Sequence, residues 1–357
     1  MKDSTVIKLA LHMAAVTVMT SCDATIHEYP EPGSDTVTAV LEASVSREPP
    51  GMYKTVVYDQ NWNRSERKMP EDSSANGWQP EDGASMRIIM EIYSGEPQDD
   101  GNTRSVPSER LQRRVLTVDK DALPPQDTVL ISLPDGDYHI LAWADYVYEG
   151  TSEDLCYRTD SLTAIRTDIV SYPDNTMYRS GAAGREAFSL RMTKDGGTAE
   201  RINIDMQRPL GRYRVVASDY EDFLRSGGTL EGMTVEVVYR QYISIGYNVA
   251  TDESNAFISS YSFDIRPSEY EYGGILEASL FGDYLFTSAD METVVIADFH
   301  FSDASGKEIS RCEGIEIPLW RNCETVIVGC FLTSALNDGG GVDIDEGFDD
   351  EYIVGID

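Results

Sequence analysis

Five cysteines, four histidines and 62 acidic side chains are the groups from which this 357-residue chain could build chemistry. None of the histidines (His12, His27, His139, His300) sits in an HExxH zinc motif. The chain also has no P-loop, no GxSxG nucleophile elbow and no GxGxxG turn. His139 and His300 fall in segments that read as strands, and nothing points to a Ser–His–Asp relay. Carboxylates are so numerous that no pair stands apart as a glycosidase dyad. The expectation is a protein that is not an enzyme, with no catalytic residue, cofactor or metal in its site.

Four of the cysteines lie in the body of the chain: Cys156, Cys312, Cys323 and Cys330. Cys323 and Cys330 are seven apart on one predicted strand, so they point to opposite faces and should not pair with each other. Two readings stay open. Cys312 and Cys323 could bridge across a hairpin, or all four could be buried free thiols acting as small hydrophobes, which is the favoured reading. The acidic C-terminus also leaves alternatives. After Gly339-Gly340-Gly341, Asp343, Asp345, Glu346, Asp349, Asp350 and Glu351 crowd together without a basic residue. Hard oxygen ligands suit calcium, but the spacing is not that of an EF-hand. A solvated loop before a strand is favoured. In the third reading a glycine hinge frees that strand, with Tyr352, Ile353, Val354 and Ile356, to join another subunit's sheet.

The fifth cysteine ends a leader. Lys2 and Lys8 precede an apolar run from Leu9 to Met19, and the run closes on Met19-Thr20-Ser21-Cys22. A membrane span needs about 20 apolar residues, so this run is too short to be one. Small residues followed by cysteine resemble the lipobox of a bacterial lipoprotein signal, in which the cysteine becomes the mature N-terminus and carries lipid. Residues 1–21 are therefore expected to be a lipoprotein signal peptide and Cys22 the lipidation site, with the protein held at the outer membrane and exposed at the cell surface. Residues 22–35, with two prolines and a glycine, read as a tether.

The elements beyond the tether have a period of two. Val37, Ala39, Leu41, Ala43 and Val45 alternate with more polar neighbours, and so do Met86, Ile88, Met90 and Ile92. Similar alternation runs through 202–206, 233–239 and 295–301. These are half-buried strands, separated by turn signals such as Asp135-Gly136, Gly227-Gly228 and Ser305-Gly306. Short helices are expected at 219–224, with Ser218 as N-cap and Glu221 closing a capping box, and at 162–167. Residues 60–83 and 96–108 read as long loops. Many strands and few helices predict antiparallel β-sandwiches, an N-terminal domain over 36–198 and a C-terminal domain over 199–357.

Two segments resemble a known family. Leu133-Pro134-Asp135-Gly136-Asp137-Tyr138-His139-Ile140-Leu141-Ala142-Trp143-Ala144-Asp145 is similar to the P-x-G-x-Y strand ending in W-x-D of Bacteroidota fimbrillin-like lipoproteins. Pro318-Leu319-Trp320-Arg321-Asn322-Cys323-Glu324-Thr325, continuing to Leu332-Thr333, resembles their late R-N-x-x-T strand. Gly136 is expected to permit a tight hairpin turn and Trp143 to act as a core or interface anchor. The resemblance implies two transthyretin-like β-sandwich domains in an anchor, accessory or tip subunit of a type V fimbria. It also implies other fimbrial subunits as partners and assembly by strand exchange, in which a protease cuts after a basic residue and a neighbour's strand fills the groove. Arg47, just after the first strand, is the candidate cleavage site. The alternative is a monomeric surface lipoprotein that binds host or bacterial glycans through exposed aromatics such as Trp62 and Trp78.

The 29 basic residues leave a net charge of −33. A phosphate backbone would be repelled, which excludes nucleic acid as a partner. The excess acid reads as the solvated outer faces of strands whose inner faces are apolar.

Overall fold

The alternation over 36–45 buries one face of a strand and exposes the other. In the computed structural model, strand β1 (Thr36–Val45) turns Val37, Ala39, Leu41, Ala43 and Val45 into a core. The structure describes residues 36–45, 49–75, 84–95, 109–118, 126–170, 176–191, 200–267, 270–272 and 275–333. The fold is all-β, as the period of two predicts; among the described residues the exceptions are a 3-10 turn at Thr176–Arg179 and helix α1 (Tyr220–Arg225).

Two sandwiches account for most strands. In the first, β1 lies between β6 (Gln126–Pro134) and β11 (Glu200–Met206). The facing sheet runs in the order β10 (Ala182–Leu190), β7 (Gly136–Tyr148), β4 (Ala84–Ser94) and β5 (Glu109–Val118). In the second, a six-stranded sheet runs β17 (Tyr270–Tyr272), β18 (Ile275–Phe286), β12 (Leu210–Ala217), β21 (Cys323–Gly329), β2 (Gly51–Tyr58) and β3 (Arg64–Lys68). It packs on β16 (Tyr261–Ile265), β13 (Thr234–Tyr239), β19 (Thr293–Ser302) and β20 (Glu308–Leu319). A small sheet of β15 (Glu253–Ile258), β14 (Ile243–Asn248), β9 (Ile165–Thr167) and β8 (Tyr157–Arg158) lies beside them.

Several expectations need correction. The sheets are mixed: β1 runs parallel to β11, and β21 runs parallel to both β12 and β2. The chain also crosses between sandwiches more than once. Strands β2 and β3, which precede residue 199, join the second sandwich, and β11, which follows it, pairs with β1 of the first. A cut at 198/199 therefore does not separate the two. The segment read as a helix over 162–167 forms β9, because Arg166 and Ile165 pair with Gly246 and Tyr247. Helix α1 starts after Asp219, not Ser218, and the Asp219 carboxylate makes no capping bond; it is engaged elsewhere. Within the supposed loop at 60–83, Arg64–Lys68 forms the exposed edge strand β3.

The largest departure concerns charge. The alternation of Met86, Ile88, Met90 and Ile92 puts Arg87 and Glu91 on the opposite, polar face of β4, yet they are 2% and 0% exposed. A third core covers that face: Ile89 and Trp143 meet Tyr157, Tyr247, Tyr284 and Phe286 from the small sheet and the second sandwich. The charges are buried in pairs. Glu91 accepts hydrogen bonds from Arg110 Nη1 (2.6 Å), Tyr93 Oη (2.6 Å), the Leu162 amide (3.0 Å) and Arg113. Burial, and then Glu91 beside it, pushes the Tyr93 phenol up to about 12. Arg179 adds a buried link between the two halves through Asp283 Oδ1 at 2.7 Å.

Candidate functional site

β1 is held on both edges. It pairs antiparallel with β6, Leu41 lying opposite Val129, and parallel with β11, Leu41 lying opposite Ile202. Neither neighbour is close to it in sequence, so β1 fills a slot built by distant parts of the chain. The inward face alternates large and small residues, Val37, Ala39, Leu41, Ala43 and Val45, and every one is at most 8% exposed. The outward face carries polar pairs: Thr38 with Ser132 (3.3 Å), Glu42 with Arg201 (2.6 Å) and Ser44 with Asp205 (2.9 Å). A one-residue slip would exchange these faces, so the register is strongly specified.

Among the described residues the slot has unpartnered edges beyond it. β6 ends the three-stranded sheet and exposes Leu130, while β5 ends the facing sheet and exposes Leu111 and Val115. Edge strands with apolar side chains can template pairing with another chain. Arg47 lies in sequence between β1 and β2 but outside the described residues. Cys22, Trp78, the glycine-rich acidic tail and Tyr352, Ile353, Val354 and Ile356 also lie outside them.

The last described residues are clamped. Asp219 Oδ2 accepts the amides of Leu332 (2.9 Å) and Thr333 (2.6 Å) and the Thr333 hydroxyl (2.8 Å). This explains why the Asp219 carboxylate leaves its own helix uncapped.

The two sequence motifs have structural causes. Arg321-Asn322 makes the turn from β20 to β21. Asn322 takes φ +54°, a left-handed conformation that asparagine tolerates better than most residues. Its amide donates to Leu210 O (2.8 Å), and its carbonyl accepts from Gly51 (3.0 Å), which ties the turn to β12 and β2. Arg321 Nη1 reaches Asp252 Oδ1 at 2.8 Å. Glu324, fully buried, is held by Arg212 and by Arg214 Nε (3.2 Å) of β12. Gly136 does not make a hairpin, because β6 pairs with β1 and β7 with β4 and β10. It sits at a corner between the two sheets. A Cβ there would meet Tyr138 Oη at 3.1 Å, and that hydroxyl donates back to Pro134 O at 2.8 Å. Trp143 is fully buried in the third core, edge-on to Tyr157, and Asp145 takes a two-pronged contact from Arg87.

Other candidates resolve simply. Trp62 is no open platform, since it packs against Tyr58 and Phe331. His300 Nδ1 lies 3.1 Å from Glu236 Oε2 on the strand surface. Cys156, Cys312, Cys323 and Cys330 are all free thiols. Burial pushes Cys156 and Cys312 up to about 12. In the native chain a disulfide-exchange reagent at pH 8 is expected to label Cys323 and Cys330, and to reach Cys156 and Cys312 only after denaturation. Peptide mapping of the labelled protein checks this. Among the described residues, no group of three or more His, Cys, Asp or Glu side chains is placed to hold a metal ion.

Fold and slot together define an all-β, two-sandwich protein whose first described strand is paired on both edges with strands distant in sequence. A family model described as a family of unknown function (DUF6562) matches residues 44–356, and the chain belongs to that family. No curated protein matches it. Similar solved structures include the fimbrial anchor protein Mfa2 from Porphyromonas gingivalis, 10% identical, with 77% of this chain and 82% of that chain covered and a TM-score of 0.35. The tip fimbrial protein Mfa3 from the same organism is 11% identical over 79% of this chain and 81% of its own, with a TM-score of 0.33. A fimbrial assembly protein from Parabacteroides distasonis is 11% identical, with 82% and 92% covered and a TM-score of 0.34.

Proposed function

We propose that the chain is a non-enzymatic structural or adhesive subunit of a fimbria, anchored to the outer membrane through lipid on Cys22 and joined to other subunits by strand exchange. The observation that carries this reading is the slot of β1, a strand paired on both edges with strands remote in sequence. Among the described residues such a strand is the sheet's link between β6 and β11, so its departure leaves two free edges and a row of apolar holes. Cleavage after Arg47 would release β1 together with Cys22, so a copy held by its lipid keeps β1 and only a cut copy opens its slot. The apolar segment 352–356 would be the strand given to a neighbouring copy or another subunit. The net charge of −33 supports assembly through backbone pairing and apolar contact rather than through charge attraction.

The test is made in the producing cell. The full chain is expected in the membrane fraction and in high-mass, denaturant-resistant bands on gels. Deletion of 342–357 should abolish those bands, and Cys22→Ala should release the chain from the membrane. Bands that survive the deletion would overturn strand exchange, and a membrane-bound Cys22→Ala chain would overturn the lipid anchor.

A further inference from the structure

The β14–β15 hairpin and the turn from β18 to β19 enclose an open cleft of about 420 Å³. It holds no residue of β1, β6 or β11, so it is separate from the strand slot. Its volume falls in the range of small-molecule clefts, roughly 300–1,000 Å³.

The inner wall is apolar, formed by buried Leu285, Phe286 and Val295. Two aromatic rings on the rim stay open to solvent, Tyr242 at 75% and Phe257 at 57% exposure. Ser244 pairs with Phe257 across the hairpin, and Tyr242, just before β14, lines the same cleft as Phe257. Large exposed aromatics side by side are otherwise costly to leave in water.

The polar part of the lining accepts hydrogen bonds and carries negative charge. Asp252, Glu253 and Asp290 line the cleft, together with serine and threonine hydroxyls, and no lysine, arginine or histidine does. Several of these groups are already fixed. Asp252 is held by Tyr247 Oη and by Arg321 Nη1. The 288–293 turn is braced by Ser288 N to Thr293 Oγ1 (3.2 Å) and Asp290 N to Ser288 Oγ (3.4 Å). Preset acceptors reduce the ordering cost of binding.

A ligand that fits must offer flat apolar faces to two rings and hydroxyl donors to carboxylates, and must carry no negative charge. We propose that this cleft binds a neutral oligosaccharide, whose C–H faces pack on Tyr242 and Phe257 and whose hydroxyls donate to Asp290 and Glu253. Asp252 is already matched by Arg321, and the lining offers an anionic sugar Asp290 and Glu253 with no lysine, arginine or histidine to pair with.

The purified full chain is screened on an array of neutral, sialylated and sulfated oligosaccharides and against a lysine-rich peptide, and the best neutral ligand is then titrated by calorimetry. Neutral oligosaccharides should be retained. Tyr242→Ala and Phe257→Ala should each weaken binding by about tenfold or more, and Asp290→Asn should weaken it too. Melting temperatures should not move, because both rings are exposed. Retention of no neutral sugar, preference for the acidic sugars or the peptide, or unchanged affinity in both aromatic variants would overturn the proposal.

Discussion

Stripped of residues 1–47, the chain is expected to lose its monomeric state and to regain it when a peptide of residues 36–45 is added. The lost strand buries Val37, Leu41 and Val45, whose burial alone stabilises by roughly 5–9 kcal/mol at about 1.5–3 kcal/mol each. Backbone pairs with β6 and β11 are lost as well, at about 0.5–1.5 kcal/mol net for each hydrogen bond. A domain has about 5–15 kcal/mol in total, so the first sandwich cannot stand with the slot empty. The open edges of β6 and β11 then take strands from other copies. Light scattering after size exclusion reads the result: oligomers without peptide, monomer with it, and a recovered melting transition. A truncated chain that stays monomeric with an unchanged melting temperature would refute the slot.

The same geometry sets what may enter. Ala39 and Ala43 leave small holes between the larger ones of Val37, Leu41 and Val45. If the C-terminal segment entered the slot as a strand, Tyr352, Val354 and Ile356 would share one face, and at least one of these large side chains would fall on an alanine hole. Overpacking of that kind costs about 1–3 kcal/mol. Peptide 36–45 should therefore outcompete peptide 342–357 for this chain's own slot, and the C-terminal segment should fit better in a partner whose slot is wider at that position.

Strands such as β1, β11, β13 and β19 were legible in the sequence because each has one face on a core and one face in water. Where both faces are covered, the reading fails. Arg87 and Glu91 look like surface residues, but their partners Asp145 and Arg110 are distant in sequence, and only the fold reveals the third core that buries them. Pairing partners are equally hidden: Asp135-Gly136 signals a turn, yet whether it joins one sheet or two depends on where β1 lies. β3 has no apolar pattern, so its pairing with β2 left no trace in side-chain type. The strand slot was partly legible, through the alternation of 36–45. The cleft was not, because an aromatic residue announces its size and not its exposure. Trp62 proved packed, while Tyr242 and Phe257 stand free.

Substitution of Asp145 by alanine should destabilise the chain by about 3–6 kcal/mol, because Arg87 loses two charge-assisted hydrogen bonds at about 1.5–3 kcal/mol each and keeps, of its ion pairs, the one to Asp154. The Arg87 side chain is 3% exposed and that of Asp145 is 0% exposed. Two hydrogen bonds join them, from Nε to Oδ1 (2.9 Å) and from Nη2 to Oδ2 (2.6 Å). Without the carboxylate, Arg87 keeps only the Nη1 contacts to Ser152 O and Asp154 Oδ1, both 2.8 Å. Two buried donors, Nε and Nη2, then lose the acceptors they had. Asp145→Asn keeps one acceptor and should lose less, about 1–3 kcal/mol. The discriminating variant changes both ends: Arg87→Met with Asp145→Leu removes the charges together and should recover most of the loss, since buried pairs rarely surpass apolar packing. Urea unfolding of the four proteins measures each step. Stability of Asp145→Ala within about 1 kcal/mol of the parent would mean that Arg87 finds water or another acceptor. The W-x-D motif would then owe its aspartate to something other than this ion pair. The expected pattern instead makes the motif a structural unit: Trp143 fills the apolar junction between the sandwiches, and two residues along the same face Asp145 neutralises the one arginine that the β4 ladder carries into it.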